Sequence, residues 1–407
     1  MATTHVSILE LKRRSAHNNL ERLSGLEPPT KQTPSKGHLG DNLPCKVALT
    51  LLQQWSSDNA STLKTGIQQQ VFGGKFPIQW TNAFFAFMES MGVYLRDYDK
   101  VVKAWKLYRE VKADGFKDTT KFETAISIYQ DANYDIDVLA HGWNMDFCIF
   151  CDLVDHKNKD HQDWDGAFCG AFFTTDAQKT APFIGLAFKG TKPTNKAEVL
   201  VDENYGQVTG KELGHTHCSN GVYEGLFGTF DTPDNPPYAD IRSQTIALAQ
   251  KLPNSLGQSV RIHVTGHSLG GSYSSFCYTK LLIDIAPNKM PISIGDEYTF
   301  GAPRVGSDDY AQLNFDLVSL QAGQSWRIVN NQDIVPQVPP TLIPPATTER
   351  LQFHHIDNGV QIFPDRAPEG LSSERGGPWP TPYDINNFND MKNAILNSSD
   401  HSKFGLP

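Results

Sequence analysis

Apolar and polar positions change their period twice along the chain. Residues 1 to about 44 are polar, punctuated by Pro28-Pro29 and Pro34, and carry no sustained apolar period; they read as a flexible extension. From 45 to about 115 apolar residues recur at helical spacing, as in "KVALTLLQQW" and "YDKVVKAWKLYREVK". Residues 45–145 are therefore expected to be a helical region packed on a larger core. After about 145 short β-rich runs alternate with helical ones: "FCIFC", "AFCGAFFTT", "FIGLAFKGT", a helix near 238–251, "VRIHVTG", a helix from 271, "EYTFGAP" and "SWRIVNN". Such alternation predicts an α/β fold with a mostly parallel central sheet flanked by helices, here as one domain over 146–407. No internal repeat is visible.

Composition narrows the partners. The chain has 407 residues, 39% of them hydrophobic and 20% charged, an ordinary globular balance. The formal charge of -9 is spread without acidic or basic blocks, which argues against nucleic acid and polyanions. The first residues lack the apolar run of about 7–15 that a secretory signal needs. The run "NAFFAFM" at 82–88 is too short for a transmembrane segment. As written the chain reads as cytoplasmic, with secretion as the alternative should its true start lie elsewhere. Six cysteines without dense spacing fit a reduced compartment.

The run Val260, Ile262, Val264 leads directly into Gly266-His267-Ser268-Leu269-Gly270, and small residues then open a helix. This is the strand–turn–helix context of a G-x-S-x-G elbow, in which a strained turn lifts a serine hydroxyl above the sheet. Gly266 and Gly270 are required because a Cβ there would collide with the neighbouring strand and helix. By composition alone the three fixed positions recur by chance about 0.1 to 0.2 times in a chain this long, so the motif needs partners.

A serine hydroxyl needs a base, an acid that orients the base, and donors for the oxyanion. In this fold the chain order is serine, acid, histidine. Asp333 in "SWRIVNNQDIVPQVPP" lies just past an apolar strand, where a loop carboxylate is expected; a turn aspartate bonded to its own backbone is the plainer reading. Three histidines follow Ser268: His354, His355 and His401. "LQFHHIDNGVQIF" reads as a β-hairpin around Asn358-Gly359, which puts His354 and His355 in strands. His401 stands on a C-terminal loop beyond the last expected strand and a short helix near 387–396, free to reach back to Ser268.

With these residues assembled the chain resembles the fungal class 3 lipases, α/β-hydrolases that act on acylglycerol esters. The resemblance is carried by "FKGT" (188–191), "VTGHSLGG" (264–271), "TFGAPRVG" (299–306), "NNQDIVPQVPP" (330–340) and "DHSKFG" (400–405), in that order. It implies Ser268 as nucleophile, Asp333 as the orienting acid and His401 as general base. The spacing after His401 is one residue shorter than the family's, which keeps His355 as the alternative base. The resemblance also implies an oxyanion hole built from the backbone N–H groups of Thr191 and Leu269. It places an interfacial lid on "KPTNKAEVLVDENYG", where Val199, Leu200 and Val201 are equally readable as a short buried element. The family's "VH-x-GF" segment is altered here to "GVYEGLF", with Tyr223 in place of the histidine.

No cofactor follows from this reading, and no metal. Cys148-x2-Cys151 with His156 and His161 lacks zinc-finger spacing, and His215-Thr-His217-Cys218 sits in a polar stretch between glycines. Asn59 and Asn397 head glycosylation patterns that matter only in a secreted chain. The expected function is ester hydrolysis in an acylglycerol through an acyl-enzyme, with transient contact at a lipid–water interface. Phospholipid or soluble-ester hydrolysis on the same fold, and a non-catalytic lipid-binding protein, are the alternatives.

Overall fold

The computed structural model describes residues 7–26, 72–73, 77–153, 155–158, 161–163, 167–174, 182–190, 206–228, 235–252, 259–285, 292–321, 323–330, 333, 335–337, 339, 353–356, 358–363 and 365–372, with isolated positions between 50 and 64. Its centre is an eight-stranded sheet of β1 (Met145–Asp152), β4 (Phe168–Thr174), β5 (Phe183–Lys189), β8 (Val260–His267), β9 (Ile292–Phe300), β10 (Ser325–Asn330), β11 (Gly359–Ile362) and β12 (Glu369–Gly370), in that spatial order. The pairs from β5 to β11 are parallel, while β1–β4, β4–β5 and β11–β12 are antiparallel. Two small hairpins, β2 (Asp155–Asn158) with β3 (His161–Asp163) and β6 (Gln207–Gly210) with β7 (Thr216–Ser219), stand apart. This is the mostly parallel sheet that the α/β-hydrolase resemblance implies.

Side chains of successive strand residues go to opposite faces, and each face has its own core. Phe147, Ile149, Phe168 and Phe172 pack under the helices Trp80–Gly92, Tyr98–Ala113, Thr119–Asp131 and Tyr134–Gly142. Cys148, Phe150, Cys169 and Phe173 pack with Leu226, Ile241, Leu248 and Phe276 from the helices Asn220–Phe227, Pro237–Ala249 and Leu269–Ile285. The N-terminal helices thus form one of the two layers that cover the sheet. "KVALTLLQQW" lies mostly outside the described residues.

The flexible extension is corrected over Ile8–Ser24, which form a helix. Ser7 caps it by accepting the Glu10 N–H at 3.2 Å, and Leu11, Ala16, Leu20 and Leu23 are buried. Its apolar period is hidden because Ser15 and Asn19 share the buried face. Asn19 accepts the Asp152 N–H at 2.7 Å and donates to the Phe150 carbonyl at 3.0 Å. These bonds satisfy the outer edge of β1, which would otherwise expose unpaired backbone groups.

A second difference concerns Asn358-Gly359. Among the described residues no hairpin forms there: Asn358 adopts φ +59° and turns the chain into β11, which pairs in parallel with β10. His354 contributes only a single bridge to Gly306. No helix among the described residues is long and apolar enough to cross a membrane.

Candidate active site

The serine turn is built by close backbone approach. Ser268 has φ +58°, a left-handed conformation that costs a non-glycine residue energy and that clusters at functional turns. Its N–H donates to the Phe300 carbonyl at 2.9 Å and its carbonyl accepts the Gly271 N–H at 2.8 Å, which hold the turn against β9. A Cβ on Gly266 would stand 2.2 Å from the Gly270 carbonyl oxygen, and one on Gly270 would stand 2.3 Å from the Phe188 carbonyl oxygen. Both obstacles are backbone, so glycine is obligatory at each. The helix Leu269–Ile285 starts directly after Ser268 and aims its positive dipole end and the Leu269 N–H at the turn.

The end of β5 lies against this helix start. A Cβ on Gly190 would come within 3.2 Å of the Leu269 nitrogen and 2.9 Å of the Gly270 nitrogen. Tyr94, just past the helix Trp80–Gly92, reaches between the two elements. Its hydroxyl accepts the Gly190 N–H at 3.3 Å and lies 3.3 Å from His267 Nδ1 and 3.4 Å from the His267 carbonyl oxygen. The Lys189 ammonium donates to the Gly190 carbonyl at 3.1 Å. Neither Tyr94 nor Lys189 was expected from the sequence; nothing in a helical stretch marks one tyrosine as the residue that meets a strand end 96 positions away.

Asp333 follows β10. One of its carboxylate oxygens accepts the Val335 N–H at 3.0 Å, the bond of an ordinary turn aspartate. The other is only 2.5 Å from where a Cβ would stand on Gly301, a glycine at φ +57°, and His267 Nε2 is 4.0 Å from the same point. The missing side chain at Gly301 therefore makes the room in which the Asp333 carboxylate and the His267 ring converge at the C-terminal end of the sheet. Arg304 secures the loop beyond Asp333 by donating to the carbonyls of Gln337 at 2.6 Å and Pro339 at 3.0 Å. That clamp is the physical content of the arginine in "TFGAPRVG".

His355 is buried with Nε2 at 2.5 Å from the Pro336 carbonyl oxygen, and the His354 N–H donates to the Gly306 carbonyl at 2.7 Å. The ring of His355 thus braces the aspartate loop. His401, Thr191 and the expected lid up to Tyr205 lie outside the described residues. Tyr223 sits on the helix Asn220–Phe227 with its ring 5.2 Å from that of Phe227.

The cysteine and histidine clusters take other partners. Cys148 and Cys151 are buried free thiols on β1, each pushed up to about 12 by burial. His215 precedes β7, His217 Nδ1 lies 2.8 Å from an Asp309 carboxylate oxygen, and Cys218 is buried against the Val208 carbonyl. Among the described residues no group of three or more metal-ligating side chains comes together.

Residues 185–343, from β5 through the serine turn and the aspartate loop, match the family described as lipase (class 3). The match covers less than half of the chain, and it shows that this segment is similar to class 3 lipases. Among similar proteins, a triacylglycerol lipase of Arabidopsis thaliana, OBL1, is 25% identical over 277 residues, 63% of this chain and 50% of that protein. A secreted mono- and diacylglycerol lipase of Fusarium solani is 29% identical over 182 residues, 42% of this chain and 51% of that protein. The chain thus spans about half the length of the curated relatives it matches. Among solved structures, lipase II from Rhizopus niveus is 17% identical with a TM-score of 0.41, over 73% of this chain and 87% of that one.

Proposed function

We propose that this protein is a class 3 lipase that hydrolyses carboxylic esters of acylglycerols through an acyl-enzyme on Ser268. The observation that carries the reading is the left-handed Ser268 at a strand-to-helix turn, inside the segment that matches the family. The acylglycerol substrate is supported by the names of the two relatives, which act on tri-, di- or monoacylglycerols.

In this reading His401 takes the Ser268 proton as the hydroxyl attacks the ester carbonyl, and Asp333 orients the imidazole and balances its charge. The tetrahedral oxyanion is received by the N–H groups of Leu269 and Thr191, at the positive end of the helix that Leu269 begins. His401 then returns the proton to the departing glycerol oxygen and the acyl-serine remains. Water, deprotonated by the same histidine, attacks this ester; collapse of the second tetrahedral species frees the fatty acid and restores the serine. Proton and acyl group balance within the site, and the chemistry asks for no electron transfer.

The test is labelling with a fluorophosphonate probe, read by mass spectrometry, alongside release of fatty acid from tri-, di- and monoacylglycerols. Adduct on Ser268, with both adduct and turnover lost in Ser268→Ala, is the expected result. A folded protein that takes no label is instead a lipid-binding protein without turnover. Turnover confined to phospholipids or to short soluble esters would overturn the acylglycerol assignment while leaving the serine chemistry standing.

A further inference from the structure

Glu89 and His263 join the helical layer to the strand that leads into the serine turn. Glu89 lies on the helix Trp80–Gly92 and His263 on β8, and Glu89 Oε2 stands 2.5 Å from His263 Nε2 with both side chains fully buried. One proton lies in that contact. Either arrangement of it, carboxylate with imidazolium or carboxylic acid with imidazole, has no net charge.

The walls around the pair are apolar. The Phe72 ring stacks on the imidazole, 3.6 Å between centres and 10° from parallel, and the Phe183 ring stands 5.6 Å away. A Cβ on Gly185 of β5 would come 2.3 Å from Glu89 Oε1 and 2.4 Å from His263 Nε2. Glu89 Oε1 and His263 Nδ1 have no hydrogen-bond partner among the described residues. The other ionisable groups on the surrounding elements are engaged elsewhere: Arg261 lies along Gly73 and Gly295, Lys189 over the Tyr94 ring, and His267 against the Tyr94 hydroxyl. Asp296 accepts from the Tyr298 hydroxyl at 3.3 Å and from the Gln324 N–H at 3.0 Å. The helix Trp80–Gly92 carries no second ionisable side chain. A net charge on the pair would thus be buried with no group to answer it, which is costly. Burial pushes the Glu89 carboxyl up, only partly offset by the imidazole.

The pair sits on the approach to Ser268. His263, Thr265 and His267 alternate along one face of β8, and the helical layer meets each of them: Glu89 the first, the Ala86 carbonyl the second, accepting from Thr265 Oγ1 at 3.0 Å, and Tyr94 the third. Ser268 is the next residue.

We propose that Glu89 and His263 form a one-proton latch: the helical layer seats on β8 while the pair holds a single proton, and gain or loss of a proton unseats it and loosens the serine turn. The proton comes from solvent and returns to it, and no other bond is made or broken. The link to turnover rests on Ser268 as nucleophile; the link to folding does not.

In the unfolded chain glutamate ionises near 4.5 and histidine near about 6.5, so the two groups together hold two protons below the first value, one between them and none above the second. The latched protein holds one throughout. Stability from the pair is therefore greatest between the two values. It falls on the acid side, where the unfolded chain takes up a proton that the folded one does not, and on the alkaline side, where the unfolded chain has released one that the folded one keeps.

The experiment compares the full chain with its Glu89→Gln/His263→Gln variant, whose amides do not titrate, in urea unfolding at pH 3.5, 5.5 and 7.5. All other groups cancel in the ratio of the two folding constants. Relative to pH 5.5, wild type should lose about tenfold against the variant at both pH 3.5 and pH 7.5. Turnover of a soluble p-nitrophenyl ester is then followed from pH 7.5 to pH 9.5, where a histidine base is already deprotonated. Wild-type kcat should fall by about tenfold and recover on return to pH 7.5, while that of the variant stays level.

A ratio that is constant, or that changes on one side only, overturns the single proton. A ratio that changes on both sides with level wild-type turnover overturns the latch and leaves a structural pair. If the amide variant does not fold, Glu89→Met/His263→Leu takes its place, since apolar replacement of a buried pair is often neutral or stabilising. A wild-type protein that takes no fluorophosphonate on Ser268 at any pH overturns the acyl-enzyme reading instead, and the unfolding series still decides the proton count, so the two failures are distinguishable.

Discussion

The Nε2 of His355 lies 2.5 Å from the carbonyl oxygen of Pro336, three residues beyond Asp333. A carbonyl only accepts, so Nε2 carries the proton and donates. This bond makes His355 a brace for the loop that bears Asp333, a task Arg304 shares through the carbonyls of Gln337 and Pro339. His355→Asn is therefore expected to lower kcat by about 10-fold or less, together with the melting temperature. His401→Ala should cost about 1,000-fold or more, as expected when a base is removed from such a site. Rates on a soluble ester, normalised to folded protein, decide between the two histidines; the reverse order would assign the base to His355.

Gly270 and Gly221 make a matched pair for the packing argument. A Cβ on Gly270 meets the Phe188 carbonyl oxygen at 2.3 Å and the Gly190 nitrogen at 2.9 Å, both backbone atoms of the strand end that approaches the serine turn. A Cβ on Gly221, in the helix Asn220–Phe227, meets nothing within 4 Å. Gly270→Ala is expected to destabilise by about 2 kcal/mol or more, as overpacking does, and to abolish labelling of Ser268. Gly221→Ala should leave labelling intact and raise stability by about 0.5–1 kcal/mol through helix propensity. Urea unfolding of both variants checks the contrast.

What was legible in the sequence follows from how local each cause is. The strands of the sheet announced themselves because alternate residues fill two different cores, as Phe147 and Cys148 do from adjacent positions. The serine turn was legible because backbone contact forces glycine at 266 and 270. The helix Ile8–Ser24 was not, since Ser15 and Asn19 on its buried face serve the edge of β1 and break the apolar stripe. Asn358-Gly359 misled for a related reason: the dipeptide reports a left-handed turn, and a turn can enter a parallel strand as well as a hairpin. Tyr94 and Lys189 were hidden because their meeting at Gly190 exists only after the helical layer has docked.

The docking of that layer is also testable through Arg96 and Asp152. They form a bidentate pair, 2.5 Å at its shorter contact, with side chains 3% and 2% exposed. Tyr129 donates its hydroxyl to the same carboxylate, and the guanidinium lies over the rings of Tyr129 and Phe168. Arg96→Met leaves a buried carboxylate without its cation, which costs about 3–5 kcal/mol. Adding Asp152→Leu should recover part of that loss, because the pair is expensive only when halved. The pair joins the helical layer to β1, so near-UV and far-UV signals should unfold in one coincident transition. Separate transitions would show that the helices fold independently of the sheet.

Glu297 supplies a pH dependence. It lies fully buried on β9, and one carboxyl oxygen accepts from Ser325 Oγ at 2.7 Å. Burial pushes its pKa up to about 7, only partly offset by the hydroxyls of Ser325 and Ser275. The folded state therefore holds the proton more tightly than the unfolded chain, in which glutamate ionises near 4.5. Below that value both states are protonated and the contribution to stability is fully present. As pH rises the unfolded state ionises first, and the contribution is lost until the folded group also ionises near 7. The full loss is on the order of 3 kcal/mol. Glu297→Gln cannot titrate, so the unfolding free energy of wild type should fall relative to this variant between pH 5 and pH 7, then level off by pH 8. Urea titrations at pH 5, 6, 7 and 8 measure the difference; a constant value across the series would show that the buried carboxyl ionises as readily in the folded protein as in the unfolded chain.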